Sequence, residues 1–146
     1  MKERSKYPEP IVGLYVVHGK EIAVVKSPKW KGWRVAGGHV EYGEDILDAA
    51  KREAKEELGI DVTPVGMLDI AQSIRPGDLN GKPRHFIFFE ILCKAKSRNL
   101  SIDGVEITDY KWVPFEEAER LFESSISKQV IRKYRKSKKI KLIAIL

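Results

Sequence analysis

The sequence predicts an α/β fold in which a mixed β-sheet is flanked by helices. Three observations carry that expectation. Strand-like β-branched runs come in pairs around short turns, amphipathic runs of helical period lie between and after them, and hairpins outnumber crossovers, which favours a mixed sheet over a purely parallel one. With 146 residues and 42% hydrophobic content, the chain has the size and apolar content of one domain, expected to span residues 1–146.

Residues 10–27, PIVGLYVVHGKEIAVVKS, hold two β-branched runs around His18-Gly19-Lys20, a hairpin signal with His18 read as a turn residue. Residues 28–36 read as a loop feeding a short strand that ends at Gly37-Gly38. From Glu44 to Leu58 no glycine or proline intervenes, Asp45 and Asp48 supply acids to the first turn, and Gly59 stands where a helix C-cap belongs. Val62 to Ile74 and His85 to Ala95 are long apolar segments separated by RPGDLNGKP, and antiparallel pairing is expected of them. EITDYKWVPF reads as a further short strand, with Pro114 opening a helix over Phe115 to Phe122. Residues 126–136 form another amphipathic helix with Ile126, Val130, Ile131 and Tyr134 on one stripe. The closing KIKLIAIL fits a last strand or an apolar tail packed on the sheet, and the residues do not separate the two.

No apolar run approaches the ~20 residues of a membrane span, and Met1 to Lys6 is charged without a following apolar core and cleavage site. A cytoplasmic protein with no membrane partner is expected. Cys93 is the only cysteine, which excludes an internal disulfide and a cysteine metal site, and its apolar neighbours suggest a small core residue. The formal charge is +6. Its cations crowd the C-terminal stretch at Lys128, Arg132, Lys133, Arg135, Lys136, Lys138, Lys139 and Lys141, which reads either as a solvated helix face or as a surface for RNA.

The acids are segregated elsewhere. At about 100° per residue, Ile46, Ala50, Ala54 and Leu58 align beside Leu47 as a buried stripe, flanked by Glu53, Glu56 and Glu57 within one quadrant. Surface helices gain about 0.2–0.5 kcal/mol from opposite charges at i, i+4 and lose as much from like ones. Here Glu53 with Glu57, Glu44 with Asp48 and Lys51 with Lys55 are like pairs, against two opposite ones that share one cation, Asp48 with Arg52 and Arg52 with Glu56. The negative end of the helix dipole disfavours the cluster further. A compensating cation is therefore expected, and oxygen-only donors suit a hard divalent ion, Mg²⁺ or Mn²⁺, held together with substrate phosphates. Gly37-Gly38 just upstream leaves backbone free of Cβ for close approach to a ligand, and the loop His39 to Gly43 returns Glu41 and Glu44 toward the same place.

Written out, the stretch is Gly38, five residues, Glu44, seven residues, then Arg52-Glu53-Ala54-Lys55-Glu56-Glu57-Leu58-Gly59-Ile60. It resembles the box of the Nudix hydrolase (MutT-like) family, G-x5-E-x7-R-E-U-x-E-E-x-G-U, where U is bulky and aliphatic. Ala54 departs from the usual larger aliphatic residue, and Ala36 replaces the proline common before the two glycines. The resemblance implies the family's α/β/α sandwich and hydrolysis of a nucleoside diphosphate linked to another moiety, such as ADP-ribose, another NDP-sugar or a (d)NTP. It also implies metal ligation by Glu53, Glu56, Glu57 and a glycine carbonyl near Gly37 or Gly38, a positioning role for Arg52, and a buttressing role for Glu44. A catalytic base is expected from Glu106 in DGVEITDYKW, with Glu56 next; the plainer reading of Glu106 is a strand-edge acid. Homodimers are common among such relatives.

Specificity is less legible. Trp33, Phe86, Phe88, Tyr110 and Trp112 are candidates to stack a base, although an aromatic on a strand more often fills a core. Arg34, Arg75, Arg84 and His85 lie near expected strand ends, where they would meet phosphates. Pro76 stands sixteen residues after Ile60, and ADP-ribose-hydrolysing relatives carry a proline at about that distance, although a turn-rich loop would favour proline here anyway. Two alternatives remain: removal of 5′ pyrophosphate from RNA held by the basic C-terminus, or a nucleotide-sensing module that barely turns over.

Overall fold

The computed structural model describes residues 7–75 and 81–145. Nine elements follow in order: β1 (Glu9–His18), β2 (Glu21–Lys26), β3 (Ala36–His39), α1 (Ile46–Leu58), β4 (Val62–Arg75), β5 (Arg84–Ala95), β6 (Asp109–Pro114), α2 (Phe115–Leu121) and α3 (Ser125–Ser137). The strands form one sheet in the order β4-β5-β1-β2-β6, with β3 also paired to β1. Only β1 and β5 run parallel, Glu9 facing Phe86 through to Val17 facing Lys94; the other pairs are antiparallel. The expected mixed sheet, the first hairpin and the β4–β5 pair are all present. Pro76 lies outside the described residues.

Strand alternation builds the layers. On β1, Val12, Leu14 and Val16 join Ala23, Val25, Ile91 and Cys93 under Ala49, Ala50, Ala54 and Leu58 of α1. On the opposite face, Tyr15 and Val17 join Ile22, Val24, Leu92 and Val113 under Ala118 of α2 and Val130 and Ile131 of α3. Period-2 strands between period-3.6 helices thus give three layers and two apolar cores. Cys93 is a core residue, its thiol pushed up to about 12 by burial.

Three boundaries differ from the sequence expectation. Helix α1 starts at Ile46 because Asp45 is its N-cap, accepting from the Asp48 amide at 2.8 Å. Glu44 therefore precedes the helix and is not an i, i+4 partner of Asp48. At the other end Gly59 takes φ 61° and its amide donates to the Lys55 carbonyl, as a C-cap should. Strand β3 starts only at Ala36 and runs through Gly37 and Gly38 to His39 instead of ending at the glycines, and the absence of a side chain at Gly37, which would meet the Val12 carbonyl oxygen at 2.1 Å, lets β1 pair there. Glu106 and Ile107 fall in the loop before β6, where the Asp103 carboxylate accepts from the amides of Val105, Glu106 and Ile107 and holds a turn in place of a strand. Among its described residues the closing segment makes a single bridge, Met67 with Lys141, while Ile140 and Ile143 pack on the two cores.

Candidate active site

The two ends of β1 have different neighbours on the same edge. Val17 and His18 pair with β2, whereas Ile11 to Leu14 pair with β3. Over this divergence lies a cavity of about 570 Å³ lined from α1 by Arg52, Glu53, Glu56 and Glu57 and from α3 by Ile126 and Ser127. Because α1 and α3 cover opposite faces of the sheet, the cavity links the two layers.

Arg52 organises the acidic wall. Its Nε donates to Glu44 Oε2 at 2.7 Å and its Nη2 to Glu44 Oε1 and the His39 carbonyl, both at 2.9 Å. Its Nη1 donates to Glu53 Oε1 at 2.9 Å and Glu56 Oε2 at 3.2 Å. Every guanidinium donor is thereby used. The pair with Arg52 holds the Glu44 carboxyl below the usual carboxylate range, and the same hydrogen bond raises Arg52.

Glu53 and Glu57 are each 8% exposed. Burial raises the Glu53 carboxyl even though Arg52 opposes the shift. Glu57 has no such partner: burial, then the neighbouring Glu53 charge, pushes it up to about 8, against one amide donation from Gly37 at 3.4 Å. Gly38 is packed against the cluster, since a Cβ there would lie 2.3 Å from Glu53 Oε1. Glu106 lines the same cavity and its charge also raises Glu57. The sequence-expected Gly38, Glu53, Glu56, Glu57, Arg52 and Glu106 are therefore brought to one cavity, with Glu44 behind Arg52. Among the described residues, no three His, Cys, Asp or Glu side chains are already gathered closely enough to hold an ion.

Of the residues expected to meet substrate, Arg34 lines the cavity, with its Cζ 5.3 Å from the centre of the Trp30 ring. Trp30 Nε1 and Arg34 Nε are both buried donors with no hydrogen-bond partner among the described residues. Trp33, Arg75 and Arg84 do not line the cavity. The ammonium groups of Lys26 and Lys111 lie 4.7 and 4.8 Å from the centre of the Trp33 ring. Arg84 grips buried Glu9 at 2.6 Å through both Nε and Nη2, and with Arg75 flanks the Phe86 ring. His85 contacts Gln72 at 3.1 Å. These three basic side chains belong to the β4–β5 end of the sheet, which the expected strand ends alone did not distinguish from the site.

Sequence reasoning missed Trp30, Glu90, Ser127 and Tyr15. Glu90 had a visible signal as the single charge in the run Phe86 to Cys93; Ser127 and Tyr15 had none. Many cations of the C-terminal stretch are already engaged. Arg132 and Arg135 pair with Glu119, Lys133 donates to Asp69 at 2.6 Å, and Lys128 donates to the carbonyls of Glu119 and Arg120. Among the described residues, no helix is long and apolar enough to cross a membrane.

Residues 8–134 match the model of the NUDIX domain. The chain is 34% identical over 112 residues to Nudix hydrolase 2 of Arabidopsis thaliana, covering 73% of this chain and 39% of that protein. It is also 34% identical over 90 residues to the nucleoside triphosphatase NudI of Salmonella schwarzengrund, covering 58% of this chain and 63% of that one. It thus spans less than two thirds of the length of these relatives. Among solved structures, a NUDIX hydrolase from Nitrosomonas europaea superposes with a TM-score of 0.75 at 21% identity, over 96% of this chain and 98% of that one. A MutT NUDIX hydrolase from Burkholderia pseudomallei superposes at 0.71, also at 21% identity, over 86% and 97%. At such identities the likeness is one of fold.

Proposed function

The chain belongs to the NUDIX domain family, and on that premise we propose that it is a divalent-metal-dependent pyrophosphohydrolase of small nucleotides: ADP-ribose, another NDP-sugar or a (d)NTP. The observation that carries this reading is the buried pair Glu53 and Glu57 on the cavity wall, whose nearest cation, Arg52, has no donor left for Glu57.

The residues fit a hard divalent ion. Three carboxylates offer oxygen donors only, Gly38 leaves no Cβ between the backbone and Glu53, and Glu57 is held protonated by burial and by its anionic neighbour until a cation offsets both. Glu53, Glu56 and Glu57 would hold Mg²⁺ or Mn²⁺ with a carbonyl at Gly37 or Gly38, and rotation of the glutamate side chains would close the set. When bound, such an ion neutralises phosphate charge and lowers the pKa of a coordinated water.

The chain's own groups do the rest. Arg52 fixes Glu53 and Glu56 from behind, and Glu44 fixes Arg52. Arg34 Nε and Trp30 Nε1 offer buried donors to phosphate oxygens, which supply the acceptors the protein lacks there. Glu106, or else Glu56, takes the proton from the attacking water as the phosphoanhydride P–O bond breaks.

The test is a screen for phosphate-containing products over NDP-sugars, dinucleoside polyphosphates, (d)NTPs and capped RNA, with Mg²⁺ and Mn²⁺. Glu57→Gln is expected to lower turnover at least about a thousandfold, the order for a metal-held transition state that loses a ligand. A loss below tenfold removes Glu57 from the mechanism. Equal nucleotide binding by both proteins, with no Mg²⁺-dependent product from either, would identify a sensor instead.

A further inference from the structure

The cavity ends, on its α3 side, at a buried polar chain that the hydrolytic chemistry does not use. Glu90 of β5 is 3% exposed, and Tyr15 of β1 is fully buried. The Tyr15 hydroxyl is hydrogen-bonded to Glu90 Oε2 and lies 3.1 Å from Ser127 Oγ. A phenol carries one proton, and the carboxylate has none to give, so Tyr15 donates to Glu90 and the Ser127 hydroxyl donates to Tyr15. The chain of donors runs Ser127 to Tyr15 to Glu90 and stops there.

Oε1, the other oxygen of Glu90, takes no hydrogen bond from any described residue. It lies over Gly13, its register partner on β1, where an ideal Cβ would stand 2.4 Å from it. Glycine at that position gives the carboxylate its room. Gly13, Phe88, Glu90, Ile126 and Ser127 all line the cavity. An ionised acceptor on the cavity wall, already oriented by Tyr15, favours a ligand that brings an N–H and repels one that brings a carbonyl. Burial pushes the Glu90 carboxyl up to about 7 against the Tyr15 hydrogen bond that lowers it, which leaves the ionised acceptor accessible near neutral pH.

We propose that Glu90 is a specificity-determining residue that reads the base of the nucleotide, its Oε1 accepting from an exocyclic amino group, so that adenine or cytosine nucleotides are preferred to their oxo counterparts. This inference rests on the nucleotide reading of the carboxylate end. The geometry supports a base over a sugar: Phe88 and Ile126 supply apolar walls suited to a flat ring, and the cavity links the phosphate-binding layer under α1 to this one under α3. Sites built to hydrogen-bond a substrate group reject analogues lacking it far more strongly than apolar pockets reject a change of size.

Glu90→Gln tests the proposal by inverting polarity in place. Tyr15 still donates to the amide oxygen, which puts the NH₂, a donor, where Oε1 was. Dissociation constants are measured by calorimetry for the pairs ATP/ITP and CTP/UTP, with Ca²⁺ replacing Mg²⁺ to slow turnover. Wild type is expected to favour the amino member of the pair that binds more tightly, and Glu90→Gln to shift that ratio toward the oxo member by at least about tenfold. A ratio within threefold of wild type in both pairs overturns the inference. Should Glu90→Gln fail to fold, Tyr15→Phe, which releases the carboxylate from its fixed orientation, must shrink the wild-type ratio, and an undiminished ratio overturns it equally. Hydrolysis of the same nucleotides with Mg²⁺ is read separately. Product formation with an unaltered ratio keeps the proposed function and removes the role of Glu90, whereas an inverted ratio without product does the reverse.

Discussion

Arg52 and Glu44 are joined by two parallel hydrogen bonds, Nε to Oε2 at 2.7 Å and Nη2 to Oε1 at 2.9 Å, and the remaining guanidinium donors reach Glu53, Glu56 and the His39 carbonyl. One planar group therefore ties the loop before α1 to two of the acids on it. Arg52→Lys keeps the charge but has three donors on a single nitrogen and cannot span that fork. Its kcat/KM should fall about 10–100-fold, the usual range for groups that orient metal ligands. Metal titration should weaken in parallel. A change below threefold would show that Glu53 and Glu56 orient themselves.

Gly37 and Gly38 should respond differently to the same added methyl. At Gly37 the Cβ would meet the Val12 carbonyl oxygen at 2.1 Å, a backbone atom held by β1–β3 pairing. At Gly38 it would meet the end of the Glu53 side chain, which can swing aside. Gly37→Ala is expected to lose about 1–3 kcal/mol of stability in denaturant unfolding, the range for overpacking. Gly38→Ala should stay folded with a nearly unchanged midpoint while its turnover drops at least about tenfold through the displaced ligand. Equal midpoints for the two variants would contradict this division.

Glu57 makes metal-free stability fall as pH rises. Its folded value of about 8 lies above the ordinary 4.5, so the native state holds the proton more tightly than the unfolded chain. The associated stabilisation is fully present below pH 4.5 and is lost as pH climbs through 8. Glu57→Gln, a permanent mimic of the neutral acid, should therefore melt above wild type at pH 8.5, with the gap closing toward pH 5. Mg²⁺ should raise the wild-type melting temperature at pH 8.5 and raise that of Glu57→Gln less, because binding to the native state alone stabilises it. Parallel melting curves across this window would mean that Glu57 is ionised without metal.

The surroundings of Glu56 and Glu106, the two acids proposed as base, differ. Glu56 is tied to Arg52 at 3.2 Å, whereas Glu106 sits in the loop that Asp103 shapes. Glu106→Gln should reduce kcat about 10²–10⁴-fold, the range for general-base catalysis, with little change in metal affinity. Glu56→Gln should weaken metal binding as well. If Glu106→Gln retains more than a tenth of wild-type turnover, the proton goes to Glu56.

The three-layer fold was readable because it depends on periodicity. Strand alternation at Val12, Leu14 and Val16 and the stripe Ile46, Ala50, Ala54 and Leu58 are local patterns, and each names the face that must be buried. The acid cluster was readable for the same reason, since like charges one helical turn apart are an anomaly within a single element. Boundaries were less secure where a side chain competes with the helix or strand: Asp45 caps α1 and so excludes Glu44 from it, and Asp103 folds a turn through Glu106.

What periodicity could not supply is which distant elements meet. Arg34, Arg75 and Arg84 had equal standing near expected strand ends, yet only Arg34 lines the cavity, because the chain after β2 folds back so that Arg34 bridges to Val25, whereas Arg84 is drawn to Glu9. Glu90 was an odd charge in an apolar strand until parallel pairing of β1 and β5 set it opposite Gly13 and beside Tyr15, 75 residues away in sequence. The order of residues along the chain settled the layers and the crowding of acids on one helix, both consequences of short-range spacing. The convergence of Gly13, Tyr15, Glu90 and Ser127 came from strand pairing and helix packing across the sheet, which no local repeat encodes.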